Sequence, residues 1–295
     1  MLTETKEKIW QWRGYNIPYQ TEGDNGPAVV LVHGFGACWG HWRKNIPVIG
    51  ETCRCYALDL IGFGGADKPA PGGEISYTFE TWGQQVADFC REVVGEKAFL
   101  VGNSIGCIVI MQTAVDFPEL VLGIAALNCS LRLLHERKRS EIPWYRSMGA
   151  DFAQGILKNR TIGTFFFNSI AKPNNIRKIL LQAYKRKEAV TDELVQMLLA
   201  PAYTSGAAGV FLAFTGYSGG PLPEDLLPRL TCPTILLWGM DDPWEPIELG
   251  KKLGDYETVD EFIELPGSGH CPQDEDPETV NPLILQWIDR TVNQP

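Results

Sequence analysis

The feature that most restricts this chain is a rhythm: short apolar runs of strand length alternate with longer segments of helical spacing. The runs are 28–33 (AVVLVH), 53–60 (CRCYALDL), 98–102 (AFLVG) and 121–127. Between them, residues 38–48 open as a helix, 79–94 have helical spacing, and 105–117 form an apolar helix stopped near Pro118. Strands apolar at nearly every position are buried on both faces, as in a parallel sheet covered by helices. The rhythm breaks after Asn128. Residues 130 to about 225 carry helical pieces at 141–159, 173–188, 191–200 and 205–214 instead of strands. It returns with 234–238 (TILLW) and 259–265 (VDEFIEL), and a closing helix over 277–291 begins with Pro. The expected organisation is one α/β core, 1–129 and 226–295, split by a helical cap over 130–225. Insertions of this length serve as lids or binding walls.

Composition narrows the function classes. The chain has 295 residues, is 44% apolar, and carries 36 acidic against 26 basic side chains, a net charge of −10. A core of this size needs no disulfide or metal to hold it. The acidic balance argues against nucleic acid or an anionic membrane surface as partner, since either calls for clustered Lys and Arg. The eight cysteines include no C-x-x-C and no zinc spacing with histidine, so buried free thiols in a reducing compartment are expected. The first residues, MLTETKEKIW, lack the apolar region of a secretory signal, and no run approaches 18 apolar residues. A cytoplasmic location without a membrane span is the expectation. Oligomeric state is not legible.

Four chain ends carry chemistry. Gly102-Asn103-Ser104-Ile105-Gly106 is G-x-S-x-G, set directly after a strand and opening a helix. A sharp strand-to-helix turn lifts the serine hydroxyl above the sheet edge, and small flanking residues let the chain turn there. Alone, the pentapeptide is as often an ordinary turn; its context raises its weight. His33-Gly34-Phe35-Gly36 follows the first clear strand, so the N–H groups of Phe35 and Ile105 are the expected oxyanion donors. His33 itself reads as a loop anchor. TILLW runs into Gly239-Met240-Asp241-Asp242, and VDEFIEL into Gly269-His270. The order Ser104, Asp242, His270 is that of an α/β-hydrolase triad, with every member at the C-terminal end of a parallel strand. Asp242 is preferred to Asp241 because G-x-x-D is the usual spacing. The chemistry needs no metal or cofactor. Serine at the elbow disfavours epoxide hydrolases and dehalogenases of this fold, which use aspartate there.

On these residues the chain resembles the α/β-hydrolase superfamily along nearly its whole length. Within it, the chain is similar to the pheophytinase-like hydrolases of chloroplasts and cyanobacteria. The likeness rests on Asp242-Pro243-Trp244, Gly269-His270-Cys271-Pro272 with Asp274-Glu275, Pro277-Glu278, Val280-Asn281, the stretch 199–214 and Gly102-Asn103-Ser104. His33 and Cys107 depart from the pattern, standing where proline and a second glycine are expected. The resemblance implies a mostly parallel eight-stranded sheet flanked by helices, with the cap after the sixth strand. It also implies a serine esterase acting on a long-chain, phytyl-type ester, a substrate that could bring the protein into peripheral contact with membranes. Of the cap aromatics Trp144, Tyr145, Phe152, Phe165–Phe167, Phe211 and Phe214, the expected pocket residues are Phe165, Phe166 and Phe211, joined by Trp244 from the core. Arg137, Lys138 and Arg139 read as a solvated face. Two other readings share the same residues: a carbon–carbon bond hydrolase of ring-cleavage products, and a slow-turnover receptor.

Overall fold

The computed structural model describes residues 7–141 and 160–293. Eight strands form one sheet: β1 (Lys8–Trp12), β2 (Tyr15–Glu22), β3 (Ala28–Val32), β4 (Arg54–Leu58), β5 (Ala98–Asn103), β6 (Val121–Leu127), β7 (Thr234–Gly239) and β8 (Glu261–Leu265). Their spatial order is β1-β2-β4-β3-β5-β6-β7-β8. Every pairing from β4 onward in that order is parallel, and only the β1–β2 and β2–β4 pairings are antiparallel. The expected mostly parallel, eight-stranded α/β-hydrolase sheet is present.

The central strands alternate between two cores, which is why they read as unbroken apolar runs. In β3, Ala28, Val30 and Val32 face one core while Val29 and Leu31 face the other. β5 and β7 do the same with Leu100 against Phe99 and Leu236 against Leu237. Two long helices pack on the first side: α1 (Phe79–Phe89), which runs on into a π turn over Cys90–Val94, and α2 (Ile105–Asp116). α2 is buried from Ile105 through Ala114, so it is apolar all round instead of amphipathic.

Two elements escape the strand rhythm. β1 and β2 form a hairpin whose two-residue turn, Arg13-Gly14, has φ 51° and 82°, the hand that suits the twist of paired strands. Pro18 interrupts the strand signal of β2, and β1 buries only Trp10 and Trp12. The helix expected over 38–48 is a 3₁₀ turn, Trp39–Trp42, followed by a single turn at Ile46–Ile49.

Between β6 and β7 the described residues hold helices and no strand. The longer ones are α3 (Arg160–Ile170), α4 (Pro173–Ala183), α5 (Asp192–Leu199) and α6 (Ala207–Thr215). The helix expected over 141–159 lies almost wholly outside the described residues, as do Trp144, Tyr145 and Phe152; α3 was not expected. Arg137 and Lys138, expected as a solvated face, pair with Asp225 and Glu224 and so fasten the start of this region to its end. After β7 come α7 (Ile247–Gly254) and α8 (Pro277–Val292). Among the described residues, no single helix is long and apolar enough to cross a membrane. All eight cysteines are free.

α2 approaches β3 and β5 at backbone contact. A Cβ on Gly106 would lie 2.5 Å from the Val32 carbonyl oxygen and 2.7 Å from that of His33. Overpacking against rigid backbone costs about 1–3 kcal/mol or more. Gly106→Ala should therefore lower the unfolding free energy, read from urea titration, by an amount in that range. Gly73→Ala, whose Cβ meets only the Ala70 carbonyl at 3.4 Å, should leave it nearly unchanged. Equal midpoints would contradict the packing described.

Candidate active site

β5 ends at Asn103, α2 begins at Ile105, and Ser104 makes the turn alone. Its φ of 56° and ψ of −120° are unusual for any residue with a side chain. Such strain costs about 1–3 kcal/mol and persists only where surroundings enforce it. Here the Ser104 N–H donates to the Leu127 carbonyl at 3.1 Å, while its own carbonyl accepts from the N–H groups of Cys107 and Ser130 at 3.1 and 3.2 Å. A Cβ on Gly102 would lie 2.7 Å from Gly106 C and O, so both glycines of the pentapeptide are required by close approach. Asn103 Nδ2 donates across to the His270 carbonyl at 3.1 Å, joining the elbow to the loop after β8.

Asp242 and His270 meet between the ends of β7 and β8. His270 Nδ1 donates to Asp242 Oδ2 at 2.7 Å, which leaves Nε2 as the basic nitrogen. The acid is fully engaged. Its Oδ2 also accepts from Asn128 Nδ2 at 2.7 Å, and its Oδ1 from the N–H groups of Trp244 and Glu245 at 2.8 and 3.1 Å. Asp241 points elsewhere, to Lys185 Nζ at 2.7 Å.

Asn128 belongs to none of the four chain-end motifs. At the end of β6, with φ 45°, it accepts from Gly239 N–H at 3.0 Å and donates to the Gly269 carbonyl at 3.2 Å as well as to Asp242. One side chain thus ties three strand ends together. Its signal was positional: Asn is one of the few residues that tolerates such a φ at the exit of a buried strand.

The His270 loop is clamped to the helices between β6 and β7. The His270 N–H donates to the Ala183 carbonyl at 2.9 Å. Glu275 accepts from the N–H groups of Gly269, Lys185 and Arg186 at 2.7, 2.7 and 2.9 Å. Asp274 accepts from the Tyr184 hydroxyl at 2.9 Å and pairs with Arg43 at 2.7 Å; that hydroxyl also lies 2.7 Å from His41 Nε2. His33 is the anchor it was expected to be. Its Nδ1 donates to the Gly34 carbonyl at 2.7 Å and its Nε2 accepts from Leu60 N–H at 3.0 Å; burial pushes its pKa down to about 4 and keeps it neutral.

A cavity of about 470 Å³ opens over this constellation, and Ser104, Ile105, Phe35 and His270 all line it. Ile105 is the first residue of α2, where N–H groups have no helical carbonyl to bond. The Phe35 ring adds a contact the sequence reading did not anticipate: it stacks on Phe214 at 5.0 Å and lies 5.9 Å from Phe211, joining β3's loop to α6.

Of the four expected pocket aromatics, Phe211 and Trp244 line the cavity, with the Trp244 ring 4.9 Å from that of His270. Phe165 and Phe166 do not. They are 77% and 42% exposed, and Phe167 takes their place, 5.2 Å from Phe211. Three consecutive residues on α3 are spread about 100° apart around the helix, so only one can face inward. The sequence also missed Glu245, a residue that lines the cavity and whose pKa burial pushes up to about 7. Among the described lining residues the charged side chains are Glu245 and Lys68, and Lys68 Nζ donates to the carbonyls of Gly64 and Ala66.

The profile of the alpha/beta hydrolase family matches residues 29–283. The chain is 28% identical to the chloroplastic pheophytinase of Arabidopsis thaliana over 92% of its length; it spans 64% of that relative. It is 25% identical to a 2-hydroxy-6-oxononadienedioate/2-hydroxy-6-oxononatrienedioate hydrolase of Pseudomonas, covering 93% of this chain and 92% of that one. A solved serine hydrolase involved in carbazole degradation superposes with a TM-score of 0.75 at 21% identity, covering 96% of this chain and 98% of that one, a likeness of fold.

The two neighbouring aspartates give a direct test. If Asp242 holds the imidazole tautomer, Asp242→Asn should lower kcat toward p-nitrophenyl esters by about 10³–10⁴-fold. Asp241→Asn, which loses an exposed ion pair, should stay within about twofold of the parent. The reverse ranking would overturn the assignment.

Proposed function

Since the chain belongs to the alpha/beta hydrolase family, we propose that it is a serine hydrolase that cleaves a carboxylic ester with neutral, apolar arms. The observation that carries this reading is Ser104, held at a positive φ over the same cavity that receives His270, whose Nδ1 is bonded to Asp242. In the mechanism, His270 Nε2 takes the Ser104 proton as the hydroxyl attacks the acyl carbon. Asp242 fixes the tautomer and stabilises the imidazolium that forms. The Phe35 and Ile105 N–H groups receive the oxyanion; each such donor is worth about 10²–10³ in rate. His270 then protonates the leaving alcohol and activates the water that releases the acid.

The substrate class rests on the cavity. Its walls are mainly Phe, Ile, Leu and Ala side chains, and a volume of about 470 Å³ suits the ester linkage with one apolar arm. The likeness to pheophytinase supports a long-chain, phytyl-type ester. The Pseudomonas relative's name denotes a diacid substrate. A diacid would meet Glu245 here, and Lys68, the one Lys or Arg among the described lining residues, already has its Nζ on the carbonyls of Gly64 and Ala66. That favours the ester over carbon–carbon cleavage of such a diacid.

Incubation with pheophytin a should release free phytol, and Ser104→Ala should abolish the release while the melting temperature stays close to the parent's. Release undiminished in Ser104→Ala would sink the mechanism. Absence of phytol with rapid turnover of simple p-nitrophenyl esters would remove the phytyl-type substrate and leave the esterase. Absence of any turnover would favour a binding protein.

A further inference from the structure

Glu245 stands in the cavity, yet the mechanism has no use for it. Its N–H donates to Asp242 Oδ1 at 3.1 Å, and its carbonyl accepts from Trp238 Nε1 at 2.9 Å, so its main chain is fixed on both sides. The carboxyl is fixed as well: Oε1 accepts from the Ser130 hydroxyl at 3.1 Å and Oε2 from the Leu131 N–H at 3.0 Å. Ser130 in turn donates its N–H to the Ser104 carbonyl at 3.2 Å, which places this carboxyl next to the elbow. A carboxylate oxygen has room for two donors, and each of these uses one, so both keep acceptor capacity.

We propose that Glu245 is a specificity-determining residue whose carboxylate rejects substrates bearing a second negative charge near the scissile carbonyl and admits neutral or hydrogen-bond-donating esters. The inference rests on the ester hydrolase reading and adds to it the charge class of the acyl arm. Two like charges in a cavity with apolar walls repel more strongly than in water. Lys68, the other charged lining residue, already donates to two carbonyls. The titratable and charged groups around Glu245 are Asp242 and His270, on the loops after β7 and β8, and the Cys129 thiol on the connection after β6. Burial holds the carboxyl near 7, so it is neutral in mild acid and charged in mild base. Rejection should therefore strengthen as pH rises through about 7.

The test compares kcat/KM for 4-nitrophenyl butyrate and for the 4-nitrophenyl monoester of succinic acid from pH 5.5 to 8.5. Taking the ratio of the two cancels the pH dependence of the chemical step, which both substrates share. In the parent protein the ratio of anionic to neutral ester should fall at least about tenfold across this range. In Glu245→Gln it should stay flat at the acid-side value. Ser130→Ala removes one donor from the carboxylate and should move the midpoint to higher pH. A flat ratio in the parent, or a Glu245→Gln profile that follows it, overturns the proposal. If Glu245→Gln fails to fold, the parent profile and the Ser130→Ala shift decide. Dissociation constants of the two esters, read by tryptophan quenching in Ser104→Ala with and without Glu245→Gln, need no turnover. Selective binding without catalysis in the parent would contradict the hydrolase reading alone; catalysis without selectivity would contradict the role of Glu245 alone.

Discussion

Everything at the site depends on how closely α2 can approach the sheet. Its first turn lies against the carbonyls of Val32 and His33 with no side chain between, and Gly102 and Gly106 are packed on each other's backbone. That contact leaves Ser104 no room for an ordinary conformation, and its hydrogen bonds with Leu127, Cys107 and Ser130 hold it at φ 56°. The same close packing brings the N-terminus of α2 beside the loop after β3, so the candidate nucleophile and both candidate oxyanion donors share one cavity. The strain is offset by the two large cores on either side of the sheet.

A second layer of organisation joins the helices between β6 and β7 to the imidazole. Leu180, Ala183, Tyr184, Leu194 and Cys271 form a small apolar cluster of their own. Beside it, Glu275 and the His270 N–H grip the backbone from Ala183 to Arg186. The stretch from Cys271 to Asp276 is therefore a clasp: it fixes the wall of the cavity and the base with the same hydrogen bonds. Asn128 does the equivalent work on the acid's side, so that the Asp242–His270 pair is held from both flanks.

Much of this was legible in the residues. The apolar runs disclosed the central strands because both of their faces are buried, and the glycines around Ser104 disclosed the turn because nothing larger fits. Asp242 could be told from Asp241 by spacing, and the structure has the first facing His270 and the second facing Lys185. What stayed hidden depended on partners distant in the chain. β1 and β2 gain their stability from tryptophans packed on α1 and from an antiparallel edge that Pro18 disguises. Phe165 and Phe166 could not be separated from Phe167 without the rotation of α3. Asn128 and Glu245 are single polar residues whose side-chain partners lie more than a hundred positions away.

Ser104 as nucleophile is the assignment on which every other role at the site depends. The direct measurement is intact-mass and peptide mapping after brief exposure to a fluorophosphonate probe. It should give one stoichiometric adduct on the peptide containing Ser104, with labelling lost when His270 is replaced by alanine. A protein that hydrolyses esters yet carries no adduct there, or carries it on another residue, would contradict the account.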